Sequence, residues 1–175
     1  MANGTLFKNQ QAARAAVSGA NNSAINATDD SVSSGSPGTA FQDQLGNWFR
    51  YALNDSTVFA AKDLLTISYA TCKTDTGTTS YKLHVTGDGL LAGPFAVALN
   101  AITAAQWGYV QCVGIVPAHV KGVVALGDAL SSSAVTALKV VKVADGTPPA
   151  ISIATAVEVT VGDADASIRM LGNNL

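Results

Sequence analysis

The side chains best suited to metal or acid–base chemistry are thinly spread along this chain. Its two histidines, His84 and His119, lack a cysteine, histidine or carboxylate partner at the short spacing that zinc sites use. Each histidine is therefore predicted to face solvent or to lie in a loop. The two cysteines, Cys72 and Cys112, fall in apolar, strand-like segments, which favours buried free thiols. A disulfide between them would require their strands to be neighbours.

Acidic side chains are common but badly placed for catalysis. Five lie next to or near glycine in predicted turns, where a carboxylate caps backbone N–H groups; these are Asp75, Asp88, Asp128, Asp145 and Asp163. Asp163-Ala164-Asp165 and Thr86-Gly87-Asp88-Gly89 resemble calcium loops but lack the spaced row of oxygen ligands. The Gly-x-Ser-x-Gly elbow and the glycine-rich phosphate loop are also missing. The sequence therefore predicts no catalytic, cofactor-binding or metal-binding residue, no cofactor and no enzyme.

Composition narrows the class of protein. Charged residues make up 13% of the 175 residues, about half the usual ~25%. A single Glu stands against eleven Asp, and a scarcity of Glu argues against a helical protein. The net charge of −2 provides no basic field for nucleic acid or for an anionic membrane. The chain has neither an apolar run long enough for a membrane helix nor the apolar core of a secretory signal.

So few charges make a poor surface for a free monomer. One interpretation is that other subunits cover much of the exterior, and the alternative is a soluble surface rich in Ser, Thr and Asn. Residues 1–44 are dominated by Asn, Ser, Gly, Ala and Gln and show no sustained period. They are predicted to form an extended, irregular N-terminal arm, and residues 45–175 a β-rich domain.

Short strands separated by turns fill that domain, at a spacing that predicts an all-β fold, a small β-sandwich or β-barrel. The pattern predicts strands over Trp48–Leu53, Leu64–Cys72, Ser80–Val85, Val135–Val143 and Ser167–Leu171, and either a strand with a loop or a helical turn over Phe95–Gln106. Two strands are expected around Pro117, which interrupts the central apolar stretch of residues 104–130. The clearest one-sided strand is 151–161, whose odd-numbered residues are predicted to face the core.

A weak internal echo runs through the domain. Trp48-Phe49-Arg50-Tyr51 followed by Ala60-Ala61-Lys62-Asp63-Leu64-Leu65 is similar to Trp107-Gly108-Tyr109-Val110 followed by Ala125-Leu126-Gly127-Asp128-Ala129-Leu130. The echo indicates either an old duplication or two hairpins that meet the same steric requirement, and we favour the second interpretation.

These motifs resemble small virion proteins of tailed bacteriophages, of the capsid decoration (cement) kind. The resemblance also uses Gly46-Asn47 before the first aromatic strand, and Ala104-Ala105-Gln106, Gln111 and Gly114-Ile115 around the second. Such chains carry a Gly-Tyr/Trp-Val-Gln-Val-x-Gly strand and an Ala-x-Gly-Asp-x-Leu turn. The resemblance covers Gly46 to Leu130, and the first copy departs from it at Lys62, where the pattern has glycine.

The resemblance implies a non-enzymatic β subunit that binds the outer surface of a phage capsid and clamps neighbouring capsomers. Its expected partners are the major capsid protein and copies of itself, a trimer being one option. It would be made in the host cytoplasm and reside on the virion. The alternatives are a tail-tube, head-fibre or tail-tip subunit, or a carbohydrate-binding sandwich that stacks sugars on Trp48, Tyr51, Trp107 or Tyr109.

Overall fold

The computed structural model describes residues 40–43, 45–54, 58–68, 82–85, 94–104, 106–132, 138–144 and 152–172. Within these ranges every regular element is a strand, which confirms the all-β prediction. The strands are β1 (Ala40–Gln42), β2 (Trp48–Asn54), β3 (Leu64–Ser68), β4 (Lys82–Val85), β5 (Phe95–Ala98), β6 (Gln106–Lys121), β7 (Val123–Val124), β8 (Ala129–Ser132), β9 (Val140–Lys142), β10 (Ala154–Ala156), β11 (Thr160–Val161) and β12 (Ala164–Leu171). The segment predicted as an arm, 1–44, lies outside the described residues except for 40–43, and β1 within it pairs with β2.

Five strands close into a barrel, which we call the C-terminal barrel. Antiparallel pairings run from the second half of β6 to β12, then to β10, β8 and β9. A parallel pairing of β9 with β6, which places Val140 opposite Val120, closes the ring. Of the two predicted architectures, the barrel is therefore the one that forms. Branched and small apolar side chains fill it, among them Val116, Ala118, Val120, Leu130, Val140, Ala154 and Ile168.

A second closed ring of pairings, the N-terminal barrel, uses the first half of β6. It runs from β6 through β5, β3 and β4 to β2, which pairs again with β6. Its closing parallel pair is β2 with β4. A separate buried cluster fills it: Ala52, Phe59, Leu65, Ile67, Ala96, Ala98, Ile102, Val110 and Cys112. The 16-residue β6 is thus the last strand of one barrel and the first strand of the next.

The two barrels repeat the same connectivity in the same register. The series β2, β3, β4, β5 and first half of β6 corresponds to the second half of β6, β8, β9, β10 and β12. Leu65 lies opposite Ala96 as Leu130 lies opposite Ala154. The isolated bridge between Phe59 and Ile102 has its counterpart in the pairing of Val124 with Thr160. A match that extends through every strand pair favours duplication over the two independent hairpins expected from the sequence.

The turns that begin β3 and β8 are also the same turn. In the first, Asp63 Oδ2 accepts a hydrogen bond from the Ala60 N–H at 2.7 Å, and in the second Asp128 Oδ2 accepts one from the Ala125 N–H at 2.7 Å. The residue before each aspartate has a left-handed backbone, with φ of 76° at Lys62 and 85° at Gly127. The turn half of the sequence echo therefore marks equivalent positions, whereas its aromatic halves are β2 and β6, which pair with each other in one barrel.

The outer face of the β3–β5 pair shows how the barrels join. In the N-terminal barrel this face carries Leu64, Thr66, Phe95 and Val97, all buried, and Leu64, Phe95 and Val97 belong to the core cluster of the other barrel. The equivalent residues of the C-terminal barrel are Ala129, Ser131, Ile153 and Thr155, of which only Ile153 is buried. The small and polar residues Ala129, Ser131 and Thr155 are only half-buried, so within the described residues this face is not covered as the β3–β5 face is.

The strand β6 changes barrels at Gly114, beside an irregularity in its pairing with β2 between Trp48 and Phe49. The Gln111 amide donates to the carbonyls of Val113 and Ile115, 3.1 Å each, and so satisfies backbone oxygens around the bend. Buried apolar residues before the bend pack in the core of the N-terminal barrel, and those after it pack in the core of the C-terminal barrel.

The predicted break at Pro117 is wrong, because β6 runs through it and pairs Pro117 with Ser167 of β12. The N–H of His119, two residues on, donates to the Lys62 carbonyl at 3.1 Å, away from β12. Alternate residues of a strand direct their N–H groups to the same side. Pro117 therefore sits where its missing N–H costs no bond with β12.

The predicted strand 151–161 is also wrong. Chain bends at Val157 and Glu158 divide it into β10 and β11. Ala154, Ala156 and Thr160 are buried, while Val159 and Val161 are exposed. The Glu158 carboxylate accepts hydrogen bonds from the backbone N–H and the hydroxyl of Ser167, both at 2.9 Å, which holds the chain out of a continuous strand.

The other strand predictions are confirmed at their cores, with ends that differ. Over Phe95–Gln106 the structure takes the first alternative, strand β5 followed by a loop. Of the predicted strand Val135–Val143, residues 135–137 lie outside the described residues and β9 forms over Val140–Lys142. The predicted Ser167–Leu171 lengthens into β12.

Candidate functional site: a charged cluster at the junction of the barrels

The most concentrated group of ionisable side chains in the described residues lies where the two barrels meet. It is built by the turn that begins β3 and by the facing ends of β6 and β12. Backbone hydrogen bonds fix the turn, since Lys62 N–H donates to the Ala98 carbonyl at 2.7 Å and Ala98 N–H donates to the Asp63 carbonyl at 3.0 Å. The Lys62 carbonyl then accepts from His119 N–H, which ties the turn to the next barrel.

Four side chains form the cluster. Lys62 Nζ lies 2.5 Å from Asp165 Oδ2, and His119 Nδ1 lies 2.5 Å from Asp165 Oδ1. The other ring nitrogen of His119, Nε2, lies 3.7 Å from Asp63 Oδ1. His119 and Asp165 are cross-strand partners in the β6–β12 register, so the sheet itself holds this pair in contact. A histidine between two carboxylates thus bridges the barrels.

The two carboxylates have opposite electrostatic settings. Burial raises the pKa of Asp63, an effect that the Ala60 N–H and the nearby His119 partly oppose. The pKa of Asp165 is lowered, first by the hydrogen bond from Lys62 and then by that from His119. Asp165 is therefore the stable anion of the cluster, and each of its oxygens meets a donor from a different element.

This arrangement suits a structural tie better than a reaction. The acidic and basic groups point at one another across the junction, and among the described residues no three His, Cys, Asp or Glu side chains are placed to hold a metal ion. Asp163, the other member of the calcium-like segment, accepts from the Gly122 N–H at 2.9 Å and pairs with Lys139 at 3.1 Å. Its pKa is lowered, chiefly by the hydrogen bond from Lys139.

The structure places the remaining candidate residues as follows. His119 was predicted to be in solvent or a loop, and that is wrong, because it is a half-buried strand residue in the cluster. Cys112 is a buried free thiol, as expected, and burial raises its pKa to about 12. The side chain of His84 and all of Cys72 lie outside the described residues, as do Asp75, Asp88 and Asp145.

Asp128 caps its turn as predicted, and its pKa is lowered, chiefly by the Ala125 N–H. Of the proposed sugar-stacking aromatics, Tyr109 is only 3% exposed, so a platform that includes it is wrong. Trp48 is partly buried, and the side chains of Tyr51 and Trp107 lie outside the described residues.

Sequence reasoning missed the cluster because its members are far apart in the chain. Asp63 and Asp165 are brought together only by barrel closure. One feature of the sequence could have indicated the cluster: Lys62 occupies the position at which the repeated turn has glycine in its second copy, Gly127. A side chain at a left-handed position has an energetic cost, and the pairing of Lys62 with Asp165 gives that residue a role.

The overall fold has a counterpart among solved structures. The chain is similar to the base of the head fibre protein of bacteriophage phi29, described as "head fiber gp8.5 N base", with a TM-score of 0.50 and 15% sequence identity. The alignment covers 73% of this chain and 96% of the phi29 chain. The two proteins share a fold. No protein-family model matches the sequence, and a comparison with curated proteins finds no relative.

Among the described residues, no helix is long and apolar enough to cross a membrane.

Proposed function

We propose that this chain is a structural subunit of a phage virion that attaches to the head and acts by binding rather than by catalysis. The observation that carries the proposal is the likeness in fold to the phi29 head fibre base over nearly the whole of that chain. Its expected partners are the major capsid protein and further copies of itself, and its place is the capsid surface.

The chemistry of the domain supports a role in adhesion. The charged cluster ties one barrel to the other. The other described aspartates cap turns or pair with lysines, and Glu158 accepts hydrogen bonds from Ser167. The two barrels share β6 and are joined by a buried apolar junction. A domain of this kind with few surface charges suits a protein whose role is to stay bound to a capsid surface.

Two forms of this function remain as proposals. In the first, the domain is the base of a head fibre or a similar appendage, which the fold favours. In the second, it is a decoration protein that clamps neighbouring capsomers, which the sequence resemblance favours. Both forms require binding to the capsid. They differ in the effect of removing the protein, which would lower capsid stability in the second form and remove only an external projection in the first.

The test uses particles that lack this protein, incubated with the purified full chain and sedimented. Binding at saturable sites, seen as added density by electron cryomicroscopy, supports the proposal. If the chain clamps capsomers, bare capsids rupture at a lower temperature and regain their stability on binding. If it is the base of an appendage, rupture temperature stays the same and only an external projection is lost. Absence of binding to capsids would overturn both forms.

The predicted arm is tested in the same assay by removing residues 1–39. The cut stops at 39 because Ala40–Gln42 pair with Trp48–Arg50 of β2, so a longer deletion would also disturb the barrel. If the arm contributes contacts, the truncated chain binds capsids more weakly while its unfolding midpoint in urea is unchanged. Equal affinity would show that the barrels alone hold the capsid.

A further inference from the structure

We draw no further inference here: the strongest candidate, the exposed apolar surface patch that Val123, Val159 and Val161 form at the β7–β11 ribbon of the C-terminal barrel, carries nothing because nothing in the described part of the chain shows what covers it.

Discussion

Replacing Gly114 by alanine is expected to destabilise the protein by about 1–2.5 kcal/mol, because two independent costs fall on one residue and are only partly offset in the unfolded chain. Gly114 has φ of +99°, a conformation that residues with a side chain rarely adopt. A Cβ atom there would also lie 1.9 Å from Asn47 Oδ1 and 3.2 Å from Asn47 Cα. Gly114 is where β6 leaves one barrel for the other, so the strand cannot shift without disturbing both cores.

The magnitude follows from these contacts. The left-handed backbone costs an alanine about 1–2 kcal/mol. Moving the Asn47 amide breaks its 2.8 Å hydrogen bond to Asp43 Oδ2, a loss of about 1 kcal/mol. Alanine also restricts the unfolded chain, which offsets about 0.4–1 kcal/mol. The net loss is about 1–2.5 kcal/mol, which for a chain of this size lowers Tm by roughly 2–10 °C.

Urea unfolding followed by tryptophan fluorescence measures the effect, and Gly122→Ala is the matched control. Gly122 has φ of +84°, but a Cβ atom there meets nothing within 4 Å, so only the backbone cost applies. Gly114→Ala should therefore lower the midpoint clearly more than Gly122→Ala does. In an Asn47→Ala background the amide is gone, and the cost of Gly114→Ala should fall by about 1 kcal/mol. Equal midpoints for the two glycine variants would refute the argument from close approach.

Three further predictions concern the cluster and the core. Lys62→Gly removes a side chain from a left-handed backbone position, which should stabilise the protein by about 1 kcal/mol, but it also removes an exposed ion pair worth about 0–1 kcal/mol. The urea midpoint of the variant should therefore match that of the wild type at low salt and exceed it in about 1 M NaCl, where the pair is screened. A midpoint below that of the wild type in salt would contradict this. Because Lys62 and His119 lower the pKa of Asp165, the stabilisation is present above the unfolded carboxyl pKa of about 4 and is lost as pH falls through the folded value. The stability gap between wild type and Asp165→Asn, measured by urea unfolding, should be present at neutral pH and close in acid, whereas a gap independent of pH would count against the pairing. In a Cys72→Ser background, burial of Cys112 should protect its thiol from iodoacetamide at about pH 8 until denaturant is added. If the native protein is labelled as fast as the denatured chain, Cys112 is not buried.

The sequence alone predicted those strands and turns that depend on interactions between residues close together in the chain. The aromatic strand at Trp48 was predicted almost to its ends, because β-branched and aromatic residues favour extended backbone wherever they pack. The turn at Asp128 was predicted because aspartate beside glycine caps its own backbone. Neither prediction needed to know which strands would be neighbours.

The wrong predictions share one cause: the structure at each of these positions depends on which strand lies beside it. Pro117 looked like a break, yet its nitrogen faces the side of β6 away from β12. The odd-numbered residues near Val159 looked buried, yet the bend held by Glu158 and Ser167 changes the phase of the strand. The pairing of His119 with Asp165 depends on the register of β12 against β6, which no local pattern contains.

The duplication allows the chain to be compared with itself, and this comparison separates folding from function. Residues that the copies share serve the turn and the core, as the pairs Asp63 with Asp128 and Leu65 with Leu130 do. Residues that differ on the β3–β5 face and its counterpart are explained by the junction, because the other barrel covers the first face, whereas most of the second is only half-buried. The remaining differences lie at four exposed positions of the C-terminal barrel, Val123, Leu126, Val159 and Val161, whose equivalents are Val58, Ala61, Ala101 and Thr103. Since alanine and threonine occupy three of the equivalent positions, the fold of the barrel does not itself require large apolar side chains there.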